Sequence, residues 1–94
     1  MAWNGSAVAT VIVDAGGDLK GPPQVAVHGV YDREAEPEIA HEVEDAIVAA
    51  VEDLPKARRR DDAQVHEAAR LAVRRSIKAL CGKRPHIDVH LVRL

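Results

Sequence analysis

Residues 24–54 read QVAVHGVYDREAEPEIAHEVEDAIVAAVEDL, and the fold turns on the change of period inside them. From Gln24 to Tyr31 the positions alternate. Val25, Val27, Gly29 and Tyr31 point one way and Ala26, His28 and Val30 the other, as on a strand. Beyond them Ile39, Val43, Ala46, Ile47, Ala50, Val51 and Leu54 recur at steps of three and four, which is one face of a helix from about Pro37 to Leu54. Pro37 suits a first helical turn, where a missing N–H does no harm. Glu34, Glu36, Glu38 and Glu42 crowd the end where the helix dipole favours negative charge. Pro55 ends the helix.

Toward the N-terminus, Ala7 to Asp14 reads AVATVIVD, a β-branched and nearly continuous apolar run that predicts a strand covered on at least one face. Ala15-Gly16-Gly17-Asp18 is a turn, and Gly21-Pro22-Pro23 stops regular structure before the next strand. The short connection predicts an antiparallel pair. Toward the C-terminus, Pro55 to Arg60 (PKARRR) reads as a basic loop, and Asp61 or Asp62 as the cap of a second helix. Val65, Ala69, Ala72, Val73, Ser76 and Leu80 make that helix's stripe, while Arg70, Arg74 and Lys78 form a separate basic row. Gly82 is placed for a C-cap. Pro85 opens a third strand, His86 to Arg93, with Ile87, Val89 and Leu91 on one side and His86, Asp88 and His90 on the other.

The order is β-β-α-α-β. The expected fold class is α+β in two layers, a three-stranded sheet covered on one face by two helices. Ile39, Val43, Ile47, Val51, Val65, Ala69, Val73 and Leu80 are its expected covering residues. Residues 1–94 form one domain, with a core of Val, Ala, Ile and Leu, because Phe is absent and Trp and Tyr occur once each. The formal charge of −2 argues against a surface that is a nucleic-acid footprint throughout. A single cysteine, Cys81, excludes an internal disulfide and a Cys-rich zinc site and fits a reducing compartment. No apolar run reaches the ~18–20 residues of a membrane span, and MAWNGS lacks the regions of a signal peptide. The expected location is the cytoplasm. Met1, directly before a strand, marks either a very early start or a piece of a longer protein.

Few motifs carry chemistry. His86-x-Asp88-x-His90 puts two imidazoles and a carboxylate on one strand face, a candidate metal set with His28 as the candidate fourth ligand; the plainer reading is a strand face that is exposed or at an interface. The basic residues Lys56, Arg58, Arg59, Arg60, Arg70 and Arg74, with Arg75 and Lys78, are candidate phosphate contacts. The plainer reading pairs them with Asp61, Asp62 and Glu67 on a solvated surface. The lack of stacking aromatics argues against single-strand base recognition. Cys81 reads as a packed thiol and His41 and His66 as surface residues. The acidic run from Asp32 to Asp45 fits no calcium loop. No catalytic residue, cofactor site or definite metal site is expected in the segment.

Three stretches together resemble the C-terminal domain of ribonuclease J: NGSAVATVIVDAGGDL (4–19), PQVAVHGVY (23–31) and AARLAVRRSIKALCGKRPHIDVHLVRL (68–94). His28-Gly29-Val30 and Gly82-Lys83-Arg84-Pro85 carry the most distinctive steps. Arg60-Asp61-Asp62 and the closing HLVRL look most like alphaproteobacterial members. The resemblance implies a parent that is a metal-dependent ribonuclease, a hydrolase degrading RNA from the 5′ end and also internally. Its metallo-β-lactamase core, with an inserted β-CASP domain, holds zinc or another divalent metal. Neither catalytic domain lies in residues 1–94, and the family's His-x-His-x-Asp-His signature has no counterpart here. The resemblance therefore implies a non-catalytic accessory domain that supports subunit assembly and activity. Its partners are the catalytic domains of the same chain, further copies in a homo-oligomer, and RNA through the parent enzyme, with no membrane. Thr10, Ile12, His28, Val30, His86, Asp88 and His90 are the candidate contacts if they share the open sheet face. The alternative is a module that touches RNA and holds it near the nuclease core.

Overall fold

The computed structural model describes residues 5–29, 34–82 and 84–94. The elements are β1 (Ser6–Val13), β2 (Gln24–His28), α1 (Glu36–Glu52), the one-turn α2 (Lys56–Arg59), α3 (Asp62–Cys81) and β3 (His86–Arg93). The sheet order is β2-β1-β3, with β1 antiparallel to β2 and parallel to β3. The strand with the most continuous apolar run takes the centre, where both of its edges are paired. The connection from β2 to β3 carries all three helices, and α1 and α3 lie on one face of the sheet. The expected α+β, two-layer fold is borne out.

Ala7, Ala9, Val11, Val13 and Val27 of the sheet pack with Ile39, Val43, Ile47 and Val51 of α1 and Val65, Ala69, Ala72, Val73 and Ile77 of α3. Every one of these side chains is aliphatic, and among the described residues no polar residue is buried. Two residues of the expected α3 stripe change places with neighbours. Ile77 is fully buried where Ser76 was expected, because a four-residue step from Val73 points the larger apolar side chain inward. One turn later the same phase brings Cys81 against the core and leaves Leu80, expected to cover the sheet, 48% exposed.

Local chemistry explains the boundaries. Pro37 lies in the first turn of α1, and the Glu36 carboxylate accepts a 3.2 Å hydrogen bond from the Gly29 N–H, tying the end of β2 to the start of α1. Asp61 caps α3 by accepting from the Ala63 N–H at 2.9 Å. Gly82 closes α3 with φ of 70°, its N–H donating to the Lys78 carbonyl at 2.8 Å. The expected basic loop winds into α2. β2 ends at His28, so Val30 and Tyr31, expected at its end, lie outside the described residues.

Candidate functional site

The helices leave one face of the sheet uncovered, and pairing sets its layout. His28, Ser6 and His86 form one cross-strand row, Ala26, Val8 and Asp88 the next, then Gln24, Thr10 and His90, and finally Ile12 beside Val92. Thr10, Ile12, His28, His86, Asp88 and His90 thus share the open face, while Val30 lies outside the described residues. The centre of the face, Val8, Thr10 and Ile12, is half-buried between flanking side chains. His28, Gln24, His86, Asp88, His90 and Val92 are exposed around it.

The His86-Asp88-His90 set does not gather into a metal site. His86 Nε2 comes within 3.4 Å of Asp88 Oδ2, but His86 and His90 are four strand residues apart, ~13 Å at the usual rise. His28 is two strands away, ~10 Å at the usual spacing. Among the described residues no three His, Cys, Asp or Glu side chains come together as a metal site. A shared strand face is a weaker condition than a shared coordination sphere.

The basic residues divide into three groups. Arg59 is built into the fold. Its Nε donates to the Leu54 carbonyl at 2.8 Å and its Nη2 to the Glu52 carbonyl at 3.1 Å, while its Nη1 meets Asp18 Oδ1 at 3.2 Å. It supplies the positive charge that the last turn of α1 lacks. Its own backbone presses on Gly17, which has φ of 89° and no room for a Cβ. Arg59, one of the expected phosphate contacts, thus has its guanidinium engaged within the fold. Lys56, Arg58 and Arg60 are exposed around it.

Arg70 and Arg74 belong elsewhere. They sit on α3 beside β3, and with Arg84, Pro85, His86 and Ile87 they line a cleft of about 280 Å³. Arg70 is held by Glu67 through bonds of 2.7 and 3.0 Å. The Arg70 guanidinium keeps the Glu67 carboxyl below the usual carboxylate range, and Glu67 raises the pKa of Arg70 in return.

Two residues carry more than their sequence positions suggested. His66, expected at the surface, reaches the backbone carbonyl of Val89 with its Nε2 at 3.1 Å and so covers part of the outer edge of β3. Arg93 falls on the packed side of β3, in line with Ile87, Val89 and Leu91. It donates to Asp62 Oδ1 at 2.6 Å and to the carbonyls of Asp14, Ala15 and Arg59 at 3.0, 3.2 and 3.1 Å. The signal for Arg93 was legible: a charged residue at an apolar phase of the alternation needs acceptors nearby. His41 is exposed beside Glu44 and Asp45, as expected of a surface residue. Cys81 is half-buried against the core.

The family model for "Ribonuclease J C-terminal domain" matches residues 1–94. The chain belongs to the ribonuclease J C-terminal domain family. A protein named Ribonuclease J from Sinorhizobium meliloti (strain Sm2011 / Rm2011 / 2011) is 32% identical over 95 residues, covering 100% of this chain and 17% of that relative. The chain thus spans about a sixth of the curated relative it matches. The likeness to an alphaproteobacterial ribonuclease J agrees with the expectation drawn from Arg60-Asp61-Asp62 and the closing HLVRL. In this ribonuclease J C-terminal domain, two features stand out from the packed layer: the open sheet face, and the cationic cleft between α3 and β3. Among the described residues no helix is long and apolar enough to cross a membrane.

Proposed function

We propose that this chain is the non-catalytic accessory domain of a cytoplasmic, metal-dependent ribonuclease J, and that its open sheet face joins it to a second copy. One observation carries the reading: a three-stranded sheet with both long helices on one face leaves Val8, Thr10, Ile12 and Val92 uncovered, ringed by His28, Gln24, His86, Asp88 and His90. An apolar centre with a polar rim is the usual anatomy of a specific interface. The arrangement of donors supports a role without catalysis, since the histidine strand spreads its side chains instead of focusing them. The parent's hydrolysis, and the divalent metal it needs, belong to the catalytic domains of the longer chain.

Size decides how much the face contributes. Two strands of eight residues and one of five project an area on the order of 330 Å². A standard interface takes ~800 Å² from each partner. The face alone falls short, so the interface must extend past it. The outer edge of β3 beyond the cleft is the natural continuation, since strand geometry turns the backbone groups of Leu91 outward beside the Val89 carbonyl that His66 covers.

Size-exclusion chromatography with light scattering tests the proposal. The chain is expected to form dimers or larger species at high micromolar concentration. Ile12→Asp with Val92→Asp is expected to return it to a monomer that keeps its circular dichroism spectrum and melts several degrees lower. A monomer at every concentration sinks the self-association.

A second reading, contact with RNA near the nuclease core, is favoured by the basic residues. The exposed Lys56, Arg58 and Arg60 and the pair Arg70 and Arg74 are its candidates, and the cleft beside β3 sharpens it below.

A further inference from the structure

The geometry points to the cleft between α3 and β3 as a site for the phosphodiester backbone of single-stranded RNA, with Arg74 and Arg84 as its principal contacts. The inference rests on the RNA-contact reading and centres it on the cleft between α3 and β3 and not on α2 and Arg60.

The cleft draws on separate parts of the chain. Arg70 and Arg74 come from consecutive turns of α3, ~6 Å apart along its axis; Arg84 comes from the connection and His86 from the start of β3. Carboxylates reach only part of this set. Glu67 holds Arg70, and Asp88 lies 3.4 Å from His86. Among the described residues, no carboxylate is within salt-bridge range of Arg74 or Arg84. The Glu67 pairing has a use, because it fixes Arg70 as a wall of the cleft beside Arg74. Backbone adds to the charge. The β3 groups that alternate away from β1 include the Ile87 N–H, on the outer edge at the cleft, and a backbone N–H beside guanidinium groups is a good phosphate donor.

Charge is also segregated between the helices. α1 carries Glu36, Glu38, Glu42, Glu44, Asp45 and Glu52 and no Lys or Arg. α3 carries Arg70, Arg74, Arg75 and Lys78 against Asp62 and Glu67. A net charge of −2 therefore hides one acidic and one basic side. A polyanion approaching the domain is steered to the α3–β3 side. The chemistry reads phosphates ahead of bases, since the cleft holds no Phe, Tyr or Trp ring and the His86 imidazole is the one ring in its lining. RNA is the polyanion of choice because the family's members are ribonucleases by name.

Fluorescence anisotropy with a labelled oligoribonucleotide, run over a salt series on the 94-residue chain, tests the site. Two main phosphate contacts predict a log–log salt slope steeper by about 1.4 than that of the variant lacking them, at ~0.7 per phosphate neutralised on a single strand. The Arg74→Ala, Arg84→Ala double variant is expected to bind at least tenfold more weakly at 50 mM salt and to keep its circular dichroism spectrum and melting temperature. Lys56→Ala with Arg58→Ala and Arg60→Ala is expected to weaken binding by less than the double variant does. The site is overturned if the triple variant loses binding while the double variant keeps it, or if neither parent nor variants bind at low salt. Light scattering on the same samples separates the two readings: a double variant that changes oligomeric state and not RNA affinity makes the cleft a protein interface and also overturns the proposal.

Discussion

The two faces of the sheet are built from the same strands and lead opposite lives. On the packed face Ala7, Ala9, Val11 and Val13 lie at 0–1% exposure under two helices. On the other, Val8, Thr10 and Ile12 are only half-buried, and the flanking strands present His28, His86, Asp88 and His90 to solvent. One residue of shift along β1 moves a side chain from core to surface, so the alternation separates what holds the domain together from what it offers a partner. The packed face is thin, made mostly of Ala and Val, and this leaves little stability in reserve.

The contrast is sharpest at matched isoleucines. Ile77→Ala in the packed layer is expected to cost about 2–5 kcal/mol, the range for a fully buried aliphatic side chain. Ile12→Ala on the open face is expected to cost about 1 kcal/mol, in line with partial burial. Urea denaturation of the two variants measures both, and equal losses would erase the distinction between the faces.

A second experiment probes where the packed face is locked at its end. Arg93→Lys keeps the charge and removes the planar fork that reaches Asp62 and the carbonyls of Asp14, Ala15 and Arg59. A loss of about 1–2 kcal/mol is expected, with faster amide exchange in α2 and at the turn after β1. Unchanged exchange there would mean that packing alone holds these segments.

The smallest effect belongs to the turn that leads out of β1. The Asp14 carboxyl is held below its ordinary pKa by the Asp18 N–H first, with the Gly16 N–H, the nearby Lys20 charge and the Gly17 N–H acting in the same direction. Because the folded value is the lower one, its contribution is present above the ordinary carboxylate pKa and lost as pH falls through the folded value. Asp14→Asn is therefore expected to melt slightly below the parent at pH 7, with the gap closing in acid. A gap that stays constant down to the acid limit would show that the charge is not what matters.

Much of the fold was legible because apolar period is a local property. The alternation in His86–Arg93 defines β3 residue for residue, and Asp61 and Gly82 mark the ends of α3. The phase of a helix near its end was not legible in the same way. Ser76 against Ile77 and Leu80 against Cys81 are choices that the steps of three and four leave open until the sheet beneath the helix stops. The histidine strand showed which residues share a face, but the distance between them is a matter of strand rise, and it rules out a common ion. The arginines were the least legible. Arg58, Arg59 and Arg60 are chemically alike in the sequence, yet Arg59 alone meets the end of α1 and the Asp18 carboxylate.

The order of the three strands and the two long helices, the aliphatic core and the resemblance to the ribonuclease J C-terminal domain follow from the sequence, since periodicity and capping act within a few residues of chain. Tertiary structure decided that β1 is central and β3 runs parallel to it, that the Arg59 and Arg93 guanidinium groups tie distant segments together, and that Arg74 and Arg84 face one cleft. These depend on which distant segments meet, and that is settled only when all the apolar stripes are buried at once.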